Sequence, residues 1–140
     1  MEAPPLNQGF DRLYGLEVLE CSLDRVRARV PVRDELKAPP GVVHAGVYAA
    51  TAQGLASLAT GRAVADQGRV AIGLANHTSV LHPISEGTIE ALATVRHRGR
   101  TTWVWQVEMS DGLDRLCVIS RVTVAVRPGT DQPDAPRPSQ

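Results

Sequence analysis

Between residues 25 and 32 the chain alternates without interruption, with apolar Val26, Ala28, Val30 and Val32 and with Arg25, Arg27 and Arg29 between them. A period of two sends alternate side chains to opposite faces of an extended segment, so this stretch predicts a strand with one face on a core and the other in water. The alternation returns at Trp103, Trp105, Val107 and Met109, and again at Leu116, Val118, Ser120, Val122, Val124 and Val126. Four strands are predicted over 70–81, 88–97, 101–110 and 116–127, separated by the turn-forming segments 83–87, 98–100 and 111–112. The run 16–32 holds two more.

The pattern changes over 42–67. No Asp, Glu, Lys or Arg occurs there before Arg62, and Ala45, Gly46, Ala49, Ala50, Ala52, Gly54, Ala56, Ser57, Ala59 and Gly61 keep the surface small. A helix apolar on nearly every side is a buried helix, and small side chains let other backbone come close. The expected order is two strands, one long helix and four strands in an antiparallel meander. An α+β fold with an antiparallel sheet wrapped round one central helix satisfies it, since the sheet face and the helix cover each other. A short amphipathic helical turn is expected over 10–14 between Gly9 and Gly15, and a loop over 34–41. The Pro-rich polar ends, 1–8 and 128–140, read as disordered tails around one domain of 9–127.

Fifteen basic and fifteen acidic side chains cancel, which removes the electrostatic footprint of a nucleic-acid or anionic-membrane binder. A few local Arg residues would still suffice for phosphate on a small ligand. Cys21 and Cys117 stand far apart and read as packed thiols, and no His/Cys/Asp cluster has metal-ligand spacing. Residues 1–8 lack a signal-peptide pattern, and no apolar run approaches the ~20 residues that span a bilayer. The cytoplasm is the expected location.

The segment Gly41-Val-Val-His44-Ala-Gly46-Val-Tyr48 resembles the HGG-type start of the central helix in the hotdog thioesterase superfamily. Ala75-Asn76-His77-Thr78-Ser79, Arg100-Thr101-Thr102-Trp103, Leu116-Cys117-Val118-Ile119-Ser120 and Ala125-Val126-Arg127-Pro128 resemble later strands of the same family. The likeness is nearest to the Arthrobacter-type 4-hydroxybenzoyl-CoA thioesterases and covers roughly residues 10 to 128. It implies a hotdog fold, an acyl-CoA substrate with no resident cofactor, and a homodimer that forms the active site, two of which make a homotetramer.

By this resemblance the amide of Ala45 is the oxyanion donor, with His44 and Gly46 shaping the helix start. The physical basis is general: the first turn of a helix offers unpaired N–H groups and a positive dipole end. The family's carboxylate lies nine positions after the motif histidine, and that position here is Gln53. Eight residues of helix separate it from Ala45, ~12 Å at 1.5 Å per residue, too far for both to serve one thioester within one chain. Ser57 lies where the family has a Thr hydroxyl, and it reads equally as a small packed residue. Ala38 replaces a Gln that assists at the carbonyl. Asn76, His77 and Thr78 are expected to line or support the acyl pocket, and Arg100, Thr101 and Arg127 to contact the pantetheine or phosphates of coenzyme A.

Gln53 can hold a water but has no carboxylate to act as nucleophile or base. Three readings stay open on the residues alone: an isosteric Glu→Gln change made to trap a ligand, a naturally altered mechanism, or an acyl-CoA-binding protein without catalysis. A hydroxyacyl-CoA dehydratase is a further rival, ranked lower because no His/Asp pair for removing an α-proton is evident.

Overall fold

A computed structural model describes residues 8–129. After helix α1 (Phe10–Leu13) come strands β1 (Glu17–Cys21) and β2 (Arg25–Pro31), a 3-10 turn (Asp34–Leu36) and helix α2 (Ala45–Val64). A second 3-10 turn (Ala65–Gln67) leads into β3 (Arg69–Val80), β4 (Thr88–Arg98), β5 (Thr102–Ser110) and β6 (Leu116–Pro128). The six strands form one antiparallel sheet in the order β1-β2-β4-β5-β6-β3, with α2 laid across it.

Alternation sets the buried face of β2 and β5, whereas β3 has no buried residue. Val26, Ala28 and Val30 are buried on β2 while the intervening arginines are exposed; on β5 Trp103, Trp105, Val107 and Met109 are buried, with Val104 and Gln106 half-buried and Glu108 exposed between them. Leu116, expected inside, is 40% exposed, because it opens β6 where the β5–β6 register shifts.

The four-strand meander is corrected to three. β4, β5 and β6 are consecutive neighbours, but β3 pairs with β6 and lies at the sheet edge, while β4 pairs with β2. Turn-forming residues mark where a strand stops and do not specify which edge the next one joins. Seven residues, 81–87, separate β3 from β4; extended they reach ~23 Å, more than the ~14 Å across three strand spacings. The linker is pinned over the start of α2: Ile84 is buried, its amide donates to Tyr48 Oη (3.1 Å), and its carbonyl accepts from the Val43 amide (2.7 Å).

The helix begins at Ala45 rather than 42, because Val43 pairs with Lys37 in an isolated bridge. Its far end tightens into the 3-10 turn and stops at Gly68, in the left-handed region at φ 68°. Tyr48, Ala52, Leu55, Ala56 and Ala59 face the sheet and are buried, but Val47, Ala50, Gln53, Gly54 and Ser57 are half-buried. Burial within one chain is thus one-sided, where the composition predicted it nearly all round. Trp105, fully buried, donates from Nε1 to Thr60 Oγ1 (2.9 Å) and ties β5 to α2. Cys117 is buried and Cys21 partly so. Of the two expected tails, 1–7 and 130–140 lie outside the described residues, while Pro128 ends β6.

Candidate active site at the helix start

His44 is the N-cap of α2. Its Nδ1 accepts from the Gly46 amide (2.8 Å), and its own amide donates to the Leu36 carbonyl (2.8 Å). An Nδ1 that accepts carries no proton, so the neutral ring holds its proton on Nε2. A Cβ at Gly46 would fall 2.8 Å from Nδ1, so glycine there lets the imidazole cap the helix. Ala45 and Gly46 are exposed, leaving the positive end of α2 open to a ligand.

Two turns on, Gln53 Nε2 donates to Ser57 Oγ (2.8 Å), and its amide lies so close against Gly73 of β3 that a Cβ there would displace it. The strand runs antiparallel to the helix: Gln53 meets Gly73, and Asn76 Nδ2 donates to the Ala49 carbonyl (2.9 Å). Thr78 Oγ1 donates to Asn76 Oδ1 (2.8 Å) and lies 2.8 Å from Ser120 Oγ. The single Thr78 proton is thereby used, which makes the Ser120 hydroxyl the donor of the second bond. Asn76 and Thr78 therefore fasten β3 to α2 and β6. His77, between them, points to the opposite face of the sheet by the alternation of the strand and is exposed. The three residues expected to act together are divided between two faces.

At the other end of β3, Arg69, Arg100, Thr101 and Arg127 surround an open hollow of about 600 Å³. Arg127 Nη1 donates to the carbonyls of Thr101 (3.1 Å) and Val126 (3.0 Å), and Arg69 Nη2 donates to Val126 (3.4 Å). The hollow contains the three residues expected from sequence and adds Arg69, which the β3–β6 pairing (Val70 opposite Arg127) brings in. Nothing in a linear reading revealed that pairing.

A second hollow, of about 610 Å³, opens beside the helix start with Phe10, Leu13, Tyr14, Leu36, Val47 and Ala50 as apolar walls and His44 and Gly46 at its rim. Beside it, Tyr14 Oη donates to Asp11 Oδ1 (3.0 Å), and the Asp11 carboxylate lies against Gly54, where a Cβ would come within 2.7 Å. Burial raises the Asp11 pKa above 3.8, against the opposing effect of the Tyr14 hydrogen bond. Burial, and then the Asp11 charge, raises that of Tyr14. A carboxyl whose pKa is higher folded than unfolded favours the fold in its protonated form, so its contribution is complete below the unfolded value and is lost as pH rises through the folded one. Relative to Asp11→Asn, the natural chain is expected to lose melting temperature as pH rises from 3.8; a difference in melting temperature that stays flat with pH would refute this. Among the described residues, no three His, Cys, Asp or Glu side chains gather to hold a metal ion, and no helix is long and apolar enough to cross a membrane.

A single long helix, capped by histidine and backed by an antiparallel sheet, defines a hotdog-fold protein. The chain belongs to the thioesterase superfamily, whose family model matches residues 40–118. A relative from Haemophilus influenzae is 34% identical over 112 residues, 80% of each chain. A 1,4-dihydroxy-2-naphthoyl-CoA hydrolase of Listeria monocytogenes is 26% identical over 119 residues, 85% of this chain and 96% of its own. Among solved structures, AziG of S. sahachiroi superposes with a TM-score of 0.80 at 32% identity, covering 84% of this chain and 95% of its own. A Haemophilus influenzae thioesterase gives 0.75 at 28% identity, covering 88% and 85%.

Proposed function

We propose that this chain is an acyl-CoA thioesterase of the Arthrobacter 4-hydroxybenzoyl-CoA type, acting on an aromatic acyl-CoA in the cytoplasm as a homodimer that pairs into a tetramer. The observation that carries the proposal is the open, histidine-capped start of α2 together with Gln53, held against Gly73 on the side of the helix that faces the free sheet edge. That edge exposes Ile72 (50%) and Leu74 (57%), and the outer stripe of α2 is half open. A second copy joined along β3 would cover both and bring its helix start to this Gln53.

The Ala45 amide polarises the thioester carbonyl at the dipole end of the helix. The Gln53 amide, held by Ser57, orients a water on that carbonyl without taking its proton. As the C–O bond forms and the C–S bond breaks, the proton leaves to solvent and is recovered by the departing thiolate, which makes hydrolysis slow. Aromatic acyl groups suit the apolar hollow beside the helix start, and the Arg69–Arg100–Arg127 hollow holds the phosphates. Binding without turnover is the second reading, supported by the absence of a carboxylate at Gln53 and of a side-chain donor at Ala38.

The test is calorimetric binding of a benzoyl-CoA thioether together with hydrolysis of aryl and alkyl acyl-CoAs. Binding with slow turnover sustains the proposal, binding without turnover replaces it with the second reading, and no binding removes both. Arg69→Ala is expected to raise KM for acyl-CoA about tenfold, the low end of a charge-assisted hydrogen bond of ~1.5–3 kcal/mol, with kcat unchanged; an unchanged KM would take Arg69 out of the site.

A further inference from the structure

Strand β3 carries one residue more than the stretch of β6 it pairs with. Gly73 stands opposite Val124 and Ala75 opposite Thr123, so Leu74 has no partner and bulges from the ladder at the free edge of the sheet. One extra residue in a strand of period two reverses the alternation beyond it. Ala71 and Gly73 lie on the core side before the bulge, and Asn76 and Thr78 lie on it afterwards. Their partners on β6 show the phase: Val126, Val124, Val122 and Ser120, opposite Ala71, Gly73, Asn76 and Thr78, are all buried. An unbroken strand running on from Gly73 would instead turn Ala75 and His77 toward the helix.

The bulge therefore brings two contacts to one stretch of α2. Gly73 meets the side chain of Gln53, and Asn76 Nδ2 donates to the Ala49 carbonyl (2.9 Å). In an α-helix that carbonyl also accepts from the backbone amide four residues on, which is that of Gln53 itself. Asn76 thus grips the turn from which Gln53 projects. Its amide is held in one orientation, because Oδ1 accepts from Thr78 Oγ1 (2.8 Å) and a flip would lose both bonds. Thr78 Oγ1 lies in turn 2.8 Å from the hydroxyl of Ser120, which is fully buried. We infer that Asn76 is a positioning residue: acting through the Ala49 carbonyl, it sets where the Gln53 amide holds the attacking water, and the Leu74 bulge is what turns Asn76 rather than His77 to this task. Without the tie, α2 keeps its packing through Tyr48, Leu55 and Ala59, while the turn bearing Gln53 is free to drift from β3. A single exposed hydrogen bond contributes little to stability, but a displacement of about 1 Å at a reacting group costs up to ~10²-fold in rate.

The inference rests on the thioester reading above, and its test keeps the two apart. Asn76→Leu, Thr78→Val and, as a control away from β3, Thr60→Val are each made in the Gln53 chain and again together with Gln53→Glu. In the Gln53→Glu background, Asn76→Leu is expected to lower kcat for an aryl-CoA by about ten- to a hundredfold with KM unchanged. Thr60→Val, which weakens the junction of helix and sheet elsewhere, should leave kcat as it is. In the Gln53 chain, with glutamine nitrogens isotopically labelled, the side-chain amide signals of Gln53 are assigned by NMR from their absence in Gln53→Glu. They are expected to move toward those of a free amide in Asn76→Leu and to stay in place in Thr60→Val. Thr78→Val, which leaves Asn76 without its donor, supplies the same two readouts where Asn76→Leu fails to fold. An unchanged kcat, an equal fall in Thr60→Val, or Gln53 signals that stay in place overturns the inference and leaves the thioester reading standing. A Gln53→Glu chain that turns over no thioester with Asn76 intact overturns the thioester reading instead. The signals then decide alone: movement upholds Asn76 as the residue that positions Gln53, and none removes it.

Discussion

Gln53→Glu is expected to raise thioester hydrolysis by roughly 10²–10⁴-fold, the usual worth of a positioned general base. The surroundings already suit a carboxylate. Ser57 Oγ, which now accepts from the Gln53 amide at 2.8 Å, is free to turn and donate to an oxygen in the same place, and Gly73 leaves the room. The change is isosteric, so the fold should hold. The gained activity requires the ionised form and should be lost as pH falls through the pKa of the new carboxyl, a limb the Gln53 chain lacks. Steady-state hydrolysis of an aryl-CoA by both proteins across pH decides it: a variant that binds the thioether and stays silent would show that position 53 does not face the thioester.

Trp105→Ala is expected to destabilise the fold by ~3–5 kcal/mol. The indole is fully buried, stacks on Trp103 at 6.3 Å between centroids, and donates to Thr60 on α2. Removing it empties the junction of helix and sheet and leaves the Thr60 hydroxyl without that donor, a loss comparable to the ~5–15 kcal/mol total stability of an ordinary domain. Denaturant unfolding measures it. Thr60→Val, which withdraws only the acceptor, should cost less; equal losses in the two variants would mean that the hydrogen bond, and not the packing, carries the effect.

The strands with period-two alternation and the helix of small residues were legible because each signal is local: a buried Val26 or Trp105 is specified by its neighbours at two positions' distance. The place of β3 was not, since edge choice depends on which partners are already taken, and Val70 faces Arg127 across fifty-seven positions of sequence. That one pairing accounts for the misplaced meander and for the unforeseen Arg69. His77 was grouped with Asn76 and Thr78 by adjacency in the motif, although alternation, applied there as it was to β2, separates them. Asp11 and Tyr14 stand three positions apart, a local pairing within reach of one helical turn, but the placement of the Asp11 carboxylate against Gly54 depends on how α1 folds onto α2.

The strand order also has a consequence in time. The strand β3 is the third of the six described strands to leave the ribosome, yet its neighbour in the sheet, β6, is the sixth. Until residue 128 has emerged, Gly73 has no sheet to hold it beneath Gln53. The site is therefore completed only after β6 is made, by a pairing distant in sequence, the kind of contact that slows folding. A nascent chain halted in the β5–β6 turn could form the β1-β2-β4-β5 part of the sheet and still have no site.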